Sequence, residues 1–101
     1  MTEGHHTVII AKDLADLIPV FFRNRQKEIE TLRAALAVGD FEQLRQVGHR
    51  MKGVGNSYGF AMVSEIGRRV EDGARTQDTA GIDACVGEYA DYLGKVQVVY
   101  E

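Results

Sequence analysis

His49, Lys52 and Gly53 fall in one short run, His49-Arg50-Met51-Lys52-Gly53. An unperturbed imidazole, with a pKa of about 6.5, is mostly neutral at pH 7, and the neutral ring is a competent nucleophile. A lysine about one helical turn further on would place an ammonium beside whatever anion that ring captured. A phosphoryl group on a ring nitrogen carries about two negative charges near neutral pH. A cation within reach stabilises those oxygens and the charge spread in a metaphosphate-like transition state. The glycine leaves bare backbone beneath the imidazole, where another chain can approach. These three residue types at this spacing suit covalent capture of an anionic group from a docking partner. One ring nitrogen attacks, and the other carries a hydrogen that a neighbouring group must orient.

A helix must present this run, and the helix decides whether the ring is reachable. Each helical residue advances about 100° around the axis. Counted from Phe41, the apolar residues Leu44, Val47, Met51 and Val54 cluster at roughly 220° to 300°, while His49 lands near ~80°, almost opposite. Glu42, Arg45, Gln46, Gly53 and Asn56 share the outer face with it, and Lys52 sits about 60° to one side. A glycine inside a helix costs about 1 kcal/mol relative to alanine. Gly48 and Gly55 fall toward the apolar side, where a missing side chain lets another helix pack closely. Gly53 has no such core to meet, so its place on the outer face marks a position where function overrides helix propensity.

The same periodicity predicts four helices. The first runs from about Lys12 to Ala37 on a stripe of Leu14, Leu17, Ile18, Phe21, Ile29, Leu32 and Leu36, with Pro19 in a first turn or at a kink. Gly39-Asp40 stops it, and Asp40 is an N-cap for the second helix. Ser57-Tyr58-Gly59 breaks that helix. The third carries Phe60, Val63, Ile66, Gly67, Val70 and Ala74, and a polar turn over Thr76 to Asp78 follows. The fourth carries Ile82, Cys85, Val86, Tyr89, Leu93 and Val96. The expected fold is all-α, an antiparallel up-down-up-down four-helix bundle over one domain, residues 1–101. Thr7-Val8-Ile9-Ile10 and Val96-Gln97-Val98-Val99-Tyr100 are rich in β-branched residues and leave two options, a pair of short strands or helix ends covering the bundle.

With 101 residues, 27% charged and a formal net charge of −3, the chain has the composition of a globular domain with one modest core. Its field does not favour nucleic acid or an anionic membrane, and no run of 18 apolar residues spans a bilayer. The N-terminus lacks a secretory pattern, and the single Cys85 excludes an internal disulfide, so the cytoplasm is the expected location. No Glu-x-x-His pair suits a di-iron bundle, and His5 and His6 alone are too few ligands for a metal site. No Gly-x-Gly-x-x-Gly or Walker-type loop is present, so phosphorylation from ATP needs a separate kinase.

His49, Lys52, Gly53 and Gly59, flanked by Phe41-x-x-Leu44, Tyr58-Gly59-Phe60 and Val70-Glu71, resemble the His-x-x-Lys-Gly signature of histidine-containing phosphotransfer (HPt) domains. The local match covers about Phe41 to Ala74. The resemblance implies a phosphorelay carrier whose His49 accepts a phosphoryl group, through Nε2, from a receiver-domain aspartyl phosphate and hands it to another receiver. It implies that Lys52 neutralises the phosphoryl oxygens, that Gly53 permits docking and that Gly59 serves the turn into the third helix. Receivers, with a histidine kinase or hybrid kinase, are the implied partners. Magnesium belongs to the receiver, so the chain needs no cofactor of its own and acts as a stoichiometric carrier, not an enzyme. The sequence also resembles the phosphoacceptor domain of chemotaxis-type kinases, in which a glutamate of the third helix hydrogen-bonds the histidine; Glu71 falls at that position.

Plainer readings stand beside these. Taken alone, Lys52 is a solvated cation whose role depends on His49. Arg45 and Gln46 are either docking contacts or solvated surface. Phe22 is a docking hydrophobe or core filling, and Cys85 is a small core residue. Two other functions compete: a phosphate-independent interaction module that docks receivers or kinases, and a substrate domain phosphorylated in trans by a chemotaxis-type kinase.

Overall fold

A computed structural model describes residues 6–101. His5 and the side chain of His6 lie outside what it describes. The order is strand β1 (His6–Ile10), a 3-10 turn (Lys12–Leu17), helices α1 (Ile18–Val38), α2 (Phe41–Tyr58), α3 (Ala61–Arg75) and α4 (Thr79–Lys95), and strand β2 (Val96–Tyr100).

Local chemistry sets the boundaries. Pro19 lies in the first turn of α1, where its missing N–H costs nothing. The expected single first helix is therefore two elements, and Leu17, assigned to its stripe, is 46% exposed at the end of the 3-10 turn. Gly39 ends α1 in the left-handed conformation, φ 68°, and its N–H reaches the Ala35 and Leu36 carbonyls. Asp40 caps α2 by accepting the Gln43 N–H at 3.1 Å, and Asp78 caps α4 by accepting the Gly81 N–H at 3.0 Å. Phe60, expected within the third helix, is instead its N-cap residue, and it is fully buried. Its ring stacks on Phe21 at 4.6 Å, with Phe22 edge-on at 5.6 Å.

Leu32, Leu44, Val47, Met51, Val63, Val70, Ile82 and Tyr89 form the fully buried centre, and Cys85 lies in the same core. Helix α2 packs most closely on α3, α3 also meets α4, and α1 touches both α2 and α4. Along α2 and α3 the contacts run in opposite order: Gly48 faces Glu71, while Gly55 faces Ser64 and Phe60. The same holds for α3 and α4, where Arg69 pairs with Glu88 and Gly73 meets Ile82.

The two β-rich ends do form strands. β1 and β2 pair in parallel, His6 against Val96 through Ile10 against Tyr100. Val96 thus begins a strand and does not close the α4 stripe. Parallel neighbours need a long crossover, and here the bundle itself serves as that crossover. Val8 and Val98 lean on the helical core, whereas Ile9 and Val99 face outward. None of the helices is long and apolar enough to cross a membrane among the described residues.

Candidate functional site

His49 stands on the outer face of α2 with 66% of its side chain exposed. Its Nδ1 lies 3.2 Å from Glu71 Oε2 on α3. The Glu71 side chain is only 3% exposed, so an imidazole open to solvent leans on a carboxylate sealed between two helices. With Nδ1 committed to Glu71, Nε2 is the ring nitrogen left to meet another molecule. Lys52 Nζ lies 2.9 Å from Glu71 Oε1, and Arg75 Nη2 donates to Glu71 Oε2 at 3.1 Å. Three cationic or hydrogen-bearing groups therefore converge on one buried carboxylate.

Burial alone would raise the pKa of such a carboxyl group. The Lys52 ammonium beside it outweighs that penalty, the hydrogen bond from His49 also lowers the pKa, and the charge of Arg75 acts in the same direction. Glu71 is accordingly held below the ordinary glutamate value and stays ionised as an acceptor.

Two glycines make this reach possible. A Cβ on Gly48 would fall 2.7 Å from the Glu71 backbone nitrogen and 2.8 Å from the Gly67 carbonyl oxygen. A Cβ on Gly67 would fall 2.7 Å from the Gly48 carbonyl oxygen and from the Lys52 backbone nitrogen. The backbones of α2 and α3 therefore touch where the site is built. Ser64 fixes the same crossing by donating its hydroxyl to the Lys52 carbonyl at 2.7 Å.

Gly53 has nothing within 4 Å of where a side chain would begin, so the surface one turn beyond His49 is open. Gly59 caps α2 at φ 84°, a left-handed conformation that suits its turn into α3. Arg45 donates through Nε and Nη2 to Glu42 at 3.1 and 2.6 Å, and Gln46 donates to the same carboxylate at 3.0 Å. Both belong to an exposed polar cluster one turn before His49. Asn56 is exposed on the far side of Gly53. Phe22, half-buried against Phe21 and Phe60, is part of the packing around the core.

Two features depart from the sequence-based expectation. Lys52, expected to face an incoming anion, is paired with Glu71, although 42% of its side chain remains exposed. Arg75 was not singled out at all. Its spacing four residues after Glu71 places both on one helical face, which was the signal available. Among the described residues no group of three or more His, Cys, Asp or Glu side chains could hold a metal ion.

A family model described as Hpt domain matches residues 16–97 of the chain. Neither the comparison with curated proteins nor that with solved structures found a match.

Proposed function

Because this chain belongs to the Hpt domain family, we propose that His49 takes a phosphoryl group from a receiver-domain aspartyl phosphate and passes it to a second receiver. The observation that carries this reading is the exposed imidazole whose Nδ1 is held by a buried carboxylate. In the step proposed, the Nε2 lone pair forms the N–P bond. The P–O bond of the acyl phosphate breaks, and its electrons leave with the aspartate carboxylate. The ring keeps its Nδ1 hydrogen and becomes formally cationic, and Glu71 stabilises that charge as it develops. Lys52 and His49 share the Glu71 carboxylate, and in the proposed step the Lys52 ammonium turns from Glu71 to the phosphoryl oxygens. The opposed order of contacts along α2/α3 and α3/α4 supports an antiparallel up-down-up-down bundle, which leaves the outer face of α2 free for docking through Arg45, Gln46, Gly53 and Asn56. The chain acts as a stoichiometric carrier in the cytoplasm, and magnesium is supplied by the receiver.

Incubation with a radiolabelled, phosphorylated receiver tests the reading. Wild type should take a label that is labile in acid and stable in base, and His49→Gln should take none. Label that persists in His49→Gln would remove the proposal. The His49–Glu71 contact also favours a second reading, phosphorylation in trans by a chemotaxis-type kinase. Labelling by ATP and a kinase catalytic domain with no receiver present would select it.

A further inference from the structure

Glu71 is overcommitted for a residue that only orients a ring. Oε2 accepts from both His49 Nδ1, at 3.2 Å, and Arg75 Nη2, at 3.1 Å, while Oε1 faces Lys52 Nζ at 2.9 Å. Among the described residues only one of the two cations has another buttress: Arg75 Nη1 also donates to Asp72 Oδ1 at 3.1 Å, which spans its guanidinium between two acids one residue apart. Arg75 also occupies the last turn of α3, where a cation suits the negative end of the helix dipole. Lys52 is a flexible single-point donor, and Arg75 is a planar fork held at two points.

We propose that Arg75 is a positioning residue that allows a counterion exchange at Glu71. In the resting protein Lys52 and Arg75 share the carboxylate. When a phosphoryl group arrives on His49, Lys52 moves to its oxygens, and Arg75 remains as the cation that keeps Glu71 ionised and aimed at Nδ1. Without Arg75, the departure of Lys52 would leave a buried carboxylate bound only by the ring, which disfavours the exchange. The inference rests on the phosphoacceptor reading of His49 and adds to it the means by which Lys52 becomes available.

Potassium phosphoramidate tests this without a cognate receiver. The imidazole nitrogen forms the bond to phosphorus, the P–N bond of the reagent breaks, and ammonia leaves. Arg75→Ala should accept phosphate at Nε2 about fivefold more slowly than wild type, the scale expected of one partly exposed charge-assisted contact. Arg75→Lys should recover most of the rate. In a Glu71→Gln background, Arg75→Ala should change nothing further, because its effect passes through that carboxylate. An unchanged rate in Arg75→Ala, or the same loss with and without Glu71, would overturn the proposal. Arg75→Gln and a far-UV melting curve guard against a folding defect. Nitrogen-15 spectra of the His49 ring provide a readout independent of phosphate. Arg75→Ala should weaken the Nδ1–H signature, and an identical signature would count against the positioning role. Should wild type take no label at all, the phosphoacceptor reading fails, and the spectra still decide whether Arg75 holds Glu71 in place.

Discussion

Gly48 and Gly67 face each other across the α2–α3 crossing with no side chain between their backbones. This contact, not the His-x-x-Lys-Gly run itself, brings Glu71 to His49 from 22 residues away. A methyl group on either glycine has to be accommodated by separating two helices, because the atoms it would strike are backbone or, for Gly67, also the Met51 Cβ fixed to that backbone. Overpacking of this kind costs about 1–3 kcal/mol. Alanine returns about 1 kcal/mol in helix propensity. Gly67→Ala should therefore lower the denaturation midpoint modestly, and it should lengthen the His49–Glu71 hydrogen bond. Chemical denaturation and nitrogen-15 spectra of the ring check the two effects together. A stabilised Gly67→Ala with an unaltered ring signature would contradict the close-approach argument.

Gly53 provides the contrast. Nothing lies within 4 Å of its absent Cβ, so a side chain there meets only solvent in the isolated protein. Gly53→Gln should raise stability by several tenths to about 1 kcal/mol through helix propensity. It should at the same time weaken receiver binding and transfer by at least about tenfold, since a bulky side chain one turn from His49 prevents another backbone from approaching; such a loss corresponds to about 1.4 kcal/mol. Titration calorimetry against the receiver, paired with a melt, separates the two effects. Transfer at the wild-type rate in this variant would refute the docking role.

The difference between Gly48 and Gly53 shows what the sequence could and could not reveal. A helical wheel reports the faces of one helix, so it placed His49 and Gly53 outward and Gly48 inward. It does not report which residue of a neighbouring helix meets them. Glu71 could be aligned with His49 only by resemblance, and its burial, its hold on Lys52 and the part of Arg75 all follow from a crossing point that no single-helix pattern encodes. The misplaced boundaries have a related cause. Phe60 and Val96 continue an apolar rhythm while their backbones have already left the helix, one as a cap and one as a strand. Leu17 keeps the rhythm but sits in a 3-10 turn whose residues are not buried. Periodicity registers apolar residues at a given spacing, and caps, turns and strand ends can satisfy it too.

Acid should weaken the site before it unfolds the bundle. Glu71 is held below the 4.5 of an ordinary glutamate, chiefly by Lys52. A carboxyl group depressed in the folded state contributes stability above its unfolded pKa, and that contribution fades as pH falls through the lower, folded value. Urea melts taken from pH 7 downward should therefore show wild type losing stability below about pH 4.5 more steeply than Glu71→Gln. Exposed acids such as Glu42 and Glu65 are also lowered by their arginine partners, but they are common to both proteins and cancel in the comparison. Parallel acid profiles for the two proteins would mean that the cations around Glu71 add nothing to folding.

Tyr89 should matter to the fold and not to the chemistry. It is fully buried on α4, and its hydroxyl donates to Glu28 Oε1 on α1 at 2.7 Å. Arg25 grips the same carboxylate at 2.8 and 3.2 Å and lies 4.7 Å from the centre of the Phe21 ring. Burial and the nearby negative charge push the phenol far above its usual range, so it remains a donor at any accessible pH. Tyr89→Phe removes that donor while leaving Arg25 to balance the charge, and a hydrogen bond to a charged group contributes about 1.5–3 kcal/mol. The variant should lose stability on that scale. Among the described residues no hydrogen bond or ion pair joins His49, Lys52, Glu71 or Arg75, on α2 and α3, to this cluster, so phosphoryl acceptance should match wild type once both proteins are assayed well below their melting temperatures. A fall in acceptance rate in fully folded Tyr89→Phe would mean that the α1–α4 seam is mechanically coupled to the site.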